Sequence, residues 1–188
     1  MPQPVSKGGG FVSTLRLLRA AVGDETFTRI ASRLPDRTAA LLAQPPLPMS
    51  LIPIVHFLDT IDAAQTELGI ARASQICEDI GAKLLEEDLR GIYRALLRIV
   101  SVDFAIKRAG AMYQQYNVNA GTVAIERTGK GIITARYRDL ISADAVYVRF
   151  LAGAARGVVA LASGSPARVT DCKALPGNSV DVTIEYTE

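Results

Sequence analysis

His56 is the only histidine in the 188-residue chain, and Asp59 follows it three residues later. On a helix this spacing places both side chains on one face, where an imidazole and a carboxylate can act as an acid–base pair. The same spacing is typical of an ordinary polar pair near a helix surface, which is the interpretation that we favour. No Gly-x-Ser-x-Gly motif supplies a nucleophile. A small enzyme that uses His56 and Asp59 is therefore the weakest of three functional hypotheses.

Cys77 and Cys172 are the two cysteines of the chain, and their surroundings argue against a metal centre. Cys77 lies on an apolar helical stripe, where a free thiol behaves as a small hydrophobic side chain. Cys172 alternates with apolar neighbours in a strand pattern. A zinc site built from His56 and both cysteines would lack the short paired spacing of structural zinc sites. We expect no bound metal.

Two glycine clusters have partial similarity to nucleotide-binding motifs. At 129–131 a glycine follows Lys130, where a phosphate-binding loop requires Ser or Thr. The glycine run at 8–10 has Ser13 in place of the third glycine of a dinucleotide motif, and the sequence predicts no strand before it. We interpret the first cluster as a hairpin turn and the second as a flexible or closely packed segment. We expect no cofactor.

The charge of the chain is nearly balanced, with 21 Lys and Arg against 19 Asp and Glu and a net charge of +2. This charge is too small to indicate a nucleic-acid-binding protein. The arginines of the first three predicted helices are interleaved with acidic residues, as on a solvated or partner-facing surface. We expect no nucleic-acid partner.

The N-terminal residues lack the apolar segment and cleavage site of a secretory signal, so we expect a cytoplasmic protein with free thiols. The longest uncharged stretch, 38–58, is long enough to span a bilayer, but four prolines interrupt it. Since each interior proline removes an amide donor and disrupts a helix, this stretch predicts a loop that leads into a helix. We expect no membrane span.

Length and composition predict a single domain at 1–188, because 49% of the residues are hydrophobic and 21% are charged. Residues 11–68 form a predicted helical subdomain, and 69–188 carry further helices and a sheet. Apolar periodicity predicts helices at about 11–22, 24–34, 36–42, 51–68 and 73–84, and a long helix at 89–116.

The hydrophobic period changes from helical to alternating at Asn117. Residues 122–127 and 132–137 predict a hairpin, and 167–175 and 179–186 predict two closing strands. Between these pairs lies a helix capped by Ser142 or Asp144, with Val158 expected on its core face and Arg156 expected to be exposed. The predicted fold class is α+β, an N-terminal helical half followed by β-β-α-β-β that forms a four-stranded antiparallel sheet packed against helices.

This order of elements resembles one group of proteins. The residues that carry the resemblance are Lys7-Gly8-Gly9 at the start, Leu34-Pro35 after the second helix, and Pro48 with Ser50-Leu51-Ile52-Pro53 before the fourth. It resembles an uncharacterised bacterial family, abundant as paralogues in myxobacteria, whose plan is similar to the haem-NO-binding, four-vinyl-reductase and TRAPP small-subunit fold. The resemblance implies that a ligand lies between sheet and helices, in a ligand-sensing or assembly module.

Haem-binding relatives use a proximal histidine on the helix before the sheet and a Tyr-x-Ser-x-Arg motif for the propionates. Here 89–116 contain no histidine, and Tyr137-Arg138-Asp139-Leu140-Ile141 does not fit the motif. We therefore expect a protein without haem. TRAPP-like relatives can hold an acyl chain through a cysteine, for which Cys77 would be the candidate here, although we favour an inert thiol.

Our first hypothesis is a non-enzymatic cytoplasmic module that binds a small apolar molecule or a protein partner at the helix–sheet interface. The residues expected at this site are Cys77, Ile99, Phe104, Tyr113 and Val148. The second hypothesis is a homodimeric structural or assembly protein without a ligand. It follows from the apolar residues on more than one face of the long helix at 89–116.

Overall fold

Seven helices and seven strands make up the described residues, 2–88 and 102–187, of a computed structural model. The helices are α1 (Gly8–Val22), α2 (Asp24–Ala31), α3 (Asp36–Ala43), α4 (Val55–Leu68), α5 (Ile70–Asp88), α6 (Val102–Tyr116) and α7 (Ala145–Ser163). The strands are β1 (Val5–Lys7), β2 (Leu51–Pro53), β3 (Asn117–Val118), β4 (Thr122–Gly129), β5 (Ile132–Arg138), β6 (Ala167–Leu175) and β7 (Ser179–Tyr186). The predicted α+β class is confirmed.

The large sheet has the strand order β4-β5-β7-β6, and each neighbouring pair is antiparallel as predicted. The two hairpins turn at glycines with positive φ, Gly131 at 63° and Gly177 at 72°, a conformation that glycine adopts at no steric cost. One face of the two central strands is buried and consists of Ile133, Ala135, Val180, Val182 and Ile184. Helix α6 packs against β4, and α7 packs against β6 and β7.

Helix α7 is the central helix of the protein. The carboxylate of Asp144 caps its start by accepting hydrogen bonds from the amides of Val146 at 2.9 Å and Tyr147 at 3.1 Å. Of the two predicted caps, Asp144 is thus the one used, and Ser142 accepts from the amide of Asp144. By length and composition α7 could cross a membrane, but more than half of it is buried within the described part of the protein. Such burial is typical of a core helix.

Helices α5 and α7 approach each other so closely that side chains are excluded at the contact. A Cβ atom on Gly153 would lie 1.8 Å from the carbonyl oxygen of Glu78, and one on Gly81 would lie 2.1 Å from that of Phe150. Val158 is 9% exposed, in agreement with its expected core position. Arg156 was expected to be exposed, and this was wrong, because its guanidinium lies 2.9 Å from Asp79 and its side chain is 24% exposed.

A second, small sheet has the order β2-β1-β3 and was not predicted. It corrects two expectations, that 51–53 begin a helix and that no strand precedes the glycine run at 8–10. In this sheet β1 pairs antiparallel with both β2 and β3. Strands of two or three residues are too short to show an alternating pattern, so the sequence alone does not reveal them.

The glycine run at 8–10 begins α1 and was expected to be flexible or closely packed. The amide of Gly8 donates to the carbonyl of Ser50 at 2.8 Å, and that of Gly9 donates to the carbonyl of Pro48 at 3.0 Å. A Cβ on Gly8 would lie 2.6 Å from the carbonyl oxygen of Leu47, so close packing against the 46–50 loop explains this glycine. Because both amides are engaged within the protein, they are not available to bind a phosphate.

Candidate functional site

A cavity of about 130 Å³ lies between α6, α7, the large sheet and the N-terminal helical half. Helix α7 contributes Tyr147, Phe150, Leu151, Ala154, Ala155 and Val158 to its wall, and α6 contributes Ala109, Met112, Tyr113 and Tyr116. The large sheet contributes Val123, Ile125 and Tyr137, and the preceding elements contribute Gly10, Ile54, Phe57 and Leu84. None of the described residues in this wall carries a charged side chain.

Two tyrosine hydroxyls of the wall donate hydrogen bonds to main-chain carbonyls of the fold. Tyr113 donates to the carbonyl of Ala120 at 2.9 Å, and Tyr137 donates to the carbonyl of Leu151 at 2.9 Å. Burial raises the pKa of Tyr113 to about 12 and raises the pKa values of Tyr137 and Tyr147 well above the usual value. All three are therefore neutral phenols.

The polar end of the cavity consists of Ser6 on β1 and Asn117 on β3. These residues are partners in the antiparallel register of the small sheet, so their side chains lie next to each other on one face. Ser6 is 5% exposed. Neither side chain hydrogen-bonds to another residue in 2–88 or 102–187. A hydroxyl and a carboxamide that make no hydrogen bond within the described residues are groups with which a ligand can pair.

The five residues proposed from the sequence lie in different places. Tyr113 lines the cavity. Val148 is buried on α7 and Cys77 is buried on α5, but neither forms part of the wall. Phe104 is 45% exposed at the start of α6, outside the wall. Ile99 falls outside the described residues.

Burial raises the pKa of the Cys77 thiol to about 12, with the nearby carboxylate of Asp144 acting in the same direction. The thiolate is the reactive form of cysteine, so this thiol is inert at neutral pH. Its position outside the cavity wall also separates it from any ligand held there.

Aromatic residues of the wall that the sequence argument missed include Phe57, Tyr147 and Phe150. Phe57 lies on the apolar stripe of α4, and the other two lie three residues apart on α7. Helical periodicity predicts that such residues face inward. It does not distinguish a residue packed in the core from one that lines a cavity, because that difference depends on which side chains come from other elements.

His56 and Asp59 meet at the hydroxyl of Thr38 instead of contacting each other as an acid–base pair. Thr38 Oγ1 lies 2.5 Å from Asp59 Oδ2 and 2.8 Å from His56 Nδ1. Since the hydroxyl proton is donated to the carboxylate, Nδ1 of His56 carries a proton and donates to Thr38. Arg37 binds both carboxylate oxygens of Asp59, at 2.7 and 2.9 Å. Thr38 is 0% exposed, so this group has the properties of a structural network between α3 and α4.

The electrostatics of this network favour a neutral histidine beside an ionised aspartate. Burial lowers the pKa of His56, although the charge of Asp59 acts in the opposite direction. The hydrogen bond from Arg37 lowers the pKa of Asp59. Burial opposes this shift, and the hydrogen bond from Thr38 reinforces it. Neither His56 nor Asp59 lines the cavity. Among the described residues there is also no cluster of three or more His, Cys, Asp or Glu that could hold a metal ion.

The arrangement of helices and antiparallel sheet around this cavity is the fold of haem-NO-binding (H-NOX) domains, as the sequence predicted. The chain is similar to the Fe(II) unliganded H-NOX protein from K. algicida, with a TM-score of 0.70, 14% identity and coverage of 97% of each chain. It is also similar to an oxygen-binding H-NOX domain related to soluble guanylate cyclases, solved as its oxygen complex, with a TM-score of 0.64 and 13% identity. That match covers 97% of this chain and 95% of the other.

A third similar structure is a mutant of the T. tengcongensis H-NOX, with a TM-score of 0.63, 12% identity and coverage of 97% of this chain and 98% of the other. No protein-family model matches the sequence, and no curated protein matches it. At these levels of identity the likeness establishes the fold.

The residues of the cavity do not fit a haem. Its described wall contains no imidazole or thiol, and 89–101 contain neither histidine nor cysteine. Met112 supplies a thioether, which in cytochromes c ligates iron opposite a histidine. Three of the four tyrosines in the described wall, Tyr113, Tyr137 and Tyr147, are neutral. No Lys or Arg of the described wall is available for propionates. A cavity of about 130 Å³ is also much smaller than a porphyrin, since about 150 Å³ accommodates benzene.

Proposed function

We propose that this protein is a non-enzymatic ligand-sensing module that binds a small apolar molecule in the cavity between its helices and its large sheet. The observation that carries the proposal is the cavity itself, which is apolar, uncharged in its described wall and about 130 Å³ in volume. An engineered cavity of about 150 Å³ stays dry and binds benzene, so a ligand of about one six-membered ring fits here. Removal of its apolar surface from water drives binding, at roughly 25 cal/mol per Å².

The H-NOX fold supports the sensing role, because one similar structure is an oxygen complex of an H-NOX domain. For this chain the proposed ligand is an organic molecule and not a gas held by haem iron, since the described residues of the wall lack an iron ligand pair. The network around Thr38 supports the non-enzymatic part of the proposal, because it is buried and separate from the cavity. We place the protein in the cytoplasm, where Cys77 and Cys172 remain free thiols.

Toluene is a suitable first probe, and its binding is measured by chemical-shift titration of the methyl groups around the cavity. We expect saturable shifts in the wild type. Ala109→Leu places a larger side chain in the wall and is expected to weaken binding at least about tenfold. Ala111→Leu is the matched control, because Ala111 lies on the same helix and is exposed.

Two results would contradict this proposal. One is the absence of saturable shifts in the folded wild type. The other is equal toluene affinity in the wild type and Ala109→Leu, because binding would then occur outside the cavity.

A homodimeric assembly role is the second candidate function. The observation that favours it is a run of exposed apolar side chains next to the small sheet, in which Leu47 is 75%, Met49 is 74% and Leu51 is 55% exposed. Sedimentation at several protein concentrations tests it. A dimer that Met49→Lys converts to a monomer supports this role, and a strict monomer at high concentration removes it.

A further inference from the structure

The geometry points to a neutral ligand with one hydroxyl or carbonyl group, whose apolar part fills the cavity and whose polar group lies between Ser6 and Asn117. This inference rests on the proposed function and specifies the chemical class of the ligand. It depends on the polar end of the cavity, on the absence of charge in the described wall and on the size of the space.

Ser6 is the buried polar group that indicates a ligand with a polar atom. It is 5% exposed and lines the cavity, and its hydroxyl has no hydrogen-bond partner in the described part of the chain. Of the tyrosines in the same wall, Tyr113 and Tyr137 donate their hydroxyl protons to the carbonyls of Ala120 and Leu151. Ser6 is therefore a better partner for the polar group of a ligand than Tyr113 or Tyr137.

Asn117 adds a second group of matching chemistry at the same end. Its register pairing with Ser6 places their Cβ atoms about 4.5–5.5 Å apart, a distance that one polar atom of a ligand can bridge. A hydroxyl both donates and accepts, and a carboxamide carries one donor group and one acceptor. A ligand hydroxyl can donate to one of these residues and accept from the other, whereas a carbonyl can accept from both.

The wall selects against a charged ligand. Its described residues contain no Lys, Arg, Asp or Glu, and burial of an ion without a partner is strongly unfavourable. Lys7 follows Ser6 in β1 and is the cation next to this end in sequence, but it is not part of the wall. Its Nζ lies 4.5 Å from the ring centroid of Tyr116. Alternation along a strand directs the side chains of residues 6 and 7 to opposite faces of the small sheet.

Three probes of similar size separate these contributions: toluene without a polar group, benzyl alcohol with a neutral hydroxyl, and benzoate with a charge. We measure the affinity of each for the full chain by calorimetry, in the wild type, Ser6→Ala and Asn117→Ala. We expect each substitution to weaken the affinity for benzyl alcohol between about twofold and about tenfold, which is the range for one hydrogen bond. The affinity for toluene is expected to stay within about twofold of the wild-type value. Benzoate is expected to bind at least about tenfold more weakly than benzyl alcohol.

Thr128→Ala is the control for loss of a hydroxyl, because Thr128 is exposed on β4 and its Oγ1 contacts Thr134 Oγ1 at 3.0 Å. Retained toluene binding shows that each variant is folded. If both substitutions leave benzyl alcohol affinity unchanged, or if benzoate binds as well as benzyl alcohol, this inference is overturned while the proposed function stands. If none of the probes binds the wild type, the proposed function fails, and this inference fails with it.

Discussion

The hydroxyl of Tyr137 on β5 donates to the main-chain carbonyl of Leu151 on α7 across 2.9 Å, and both residues line the cavity. This bond joins the large sheet to the central helix at the wall of the cavity. Tyr137 is 4% exposed, and its ring lies 6.1 Å from that of Tyr113 in an edge-to-face arrangement. Tyr137 thus holds the large sheet to α7 through a hydrogen bond and to α6 through aromatic packing.

Tyr137→Phe removes this hydrogen bond and keeps the ring. We expect the free energy of unfolding to fall by about 1 kcal/mol, while toluene affinity stays near that of the wild type. Tyr137→Leu also removes the contact between rings and is expected to cost more, about 2–4 kcal/mol. Denaturant unfolding of the three proteins measures both effects. Equal stability of Tyr137→Phe and the wild type would show that the bond contributes nothing to stability.

Gly153→Ala introduces a Cβ atom 1.8 Å from the carbonyl oxygen of Glu78. Since backbone cannot move aside as a flexible side chain does, α5 and α7 must separate, and we expect a loss of about 3 kcal/mol or more. Gly10→Ala is the matched control, because its Cβ would lie 3.8 Å from the ring of Phe57, an ordinary contact. That substitution is expected to be neutral or to stabilise α1 by up to about 1 kcal/mol. A melting temperature of Gly153→Ala equal to that of Gly10→Ala would contradict the close helix approach.

Arg156→Asp is expected to destabilise the protein by about 1–3 kcal/mol, because it places a third carboxylate beside Glu78 and Asp79. Val158→Asp is expected to cost about 3–5 kcal/mol, since it buries a charge without a partner. Arg72→Asp on the exposed first turn of α5 is the control and should change stability little. Urea unfolding ranks the three variants, and an Arg156→Asp protein as stable as the control would refute the role of these ion pairs.

Acid is expected to weaken the fold through His56 before it affects most carboxylates. Burial lowers the pKa of His56 in the folded protein below its unfolded value of about 6.5, so the unfolded chain binds its proton more readily. The stability that neutral His56 contributes is therefore present above about pH 6.5 and is lost as the pH falls through the folded pKa. His56→Asn retains a donor for Thr38 but does not titrate. We expect it to lose less stability than the wild type between about pH 7.5 and 5, and equal losses in both proteins would refute this role.

Addition of haem under reducing conditions is expected to give no stoichiometric Soret band. The reason is the donor set of the wall, which lacks an imidazole and a cation for the propionates in its described part. Absorption spectra at increasing haem concentration measure the outcome. A one-to-one Soret band that disappears in His56→Ala would overturn the expectation, and Ala111→Leu serves as the folded control.

The sequence predicts the large sheet closely, since 167–175 and 179–186 coincide with β6 and β7. Local signals suffice there, because each strand alternates and a positive-φ turn joins the two. The cap at Asp144 was among the two predicted ones because a side-chain acceptor directly before an apolar helical stripe is also a local signal. The small sheet escaped prediction because its two- and three-residue strands are stabilised by partners that are distant in the chain, as Val5 is from Val118.

The candidate site was harder to predict than the fold. Helical periodicity places Tyr113 and Phe104 on α6, but their outcomes differ, since Tyr113 lines the cavity and Phe104 is 45% exposed. Arg156 shows the same limit, because its partners Glu78 and Asp79 come from another helix. A pattern within one helix does not contain the positions of its neighbours, and those positions determine which side chains meet at the cavity.

The pairing of β1 with β3 also has a kinetic consequence. Ser6 and Asn117 come from opposite ends of the helical half, so the polar end of the cavity is a contact of very high sequence separation. Such contacts form late, because the chain entropy of closing the intervening loop opposes them. Because the polar end requires this long-range pairing, selectivity for benzyl alcohol over toluene would report that the two ends of the helical half have been brought together.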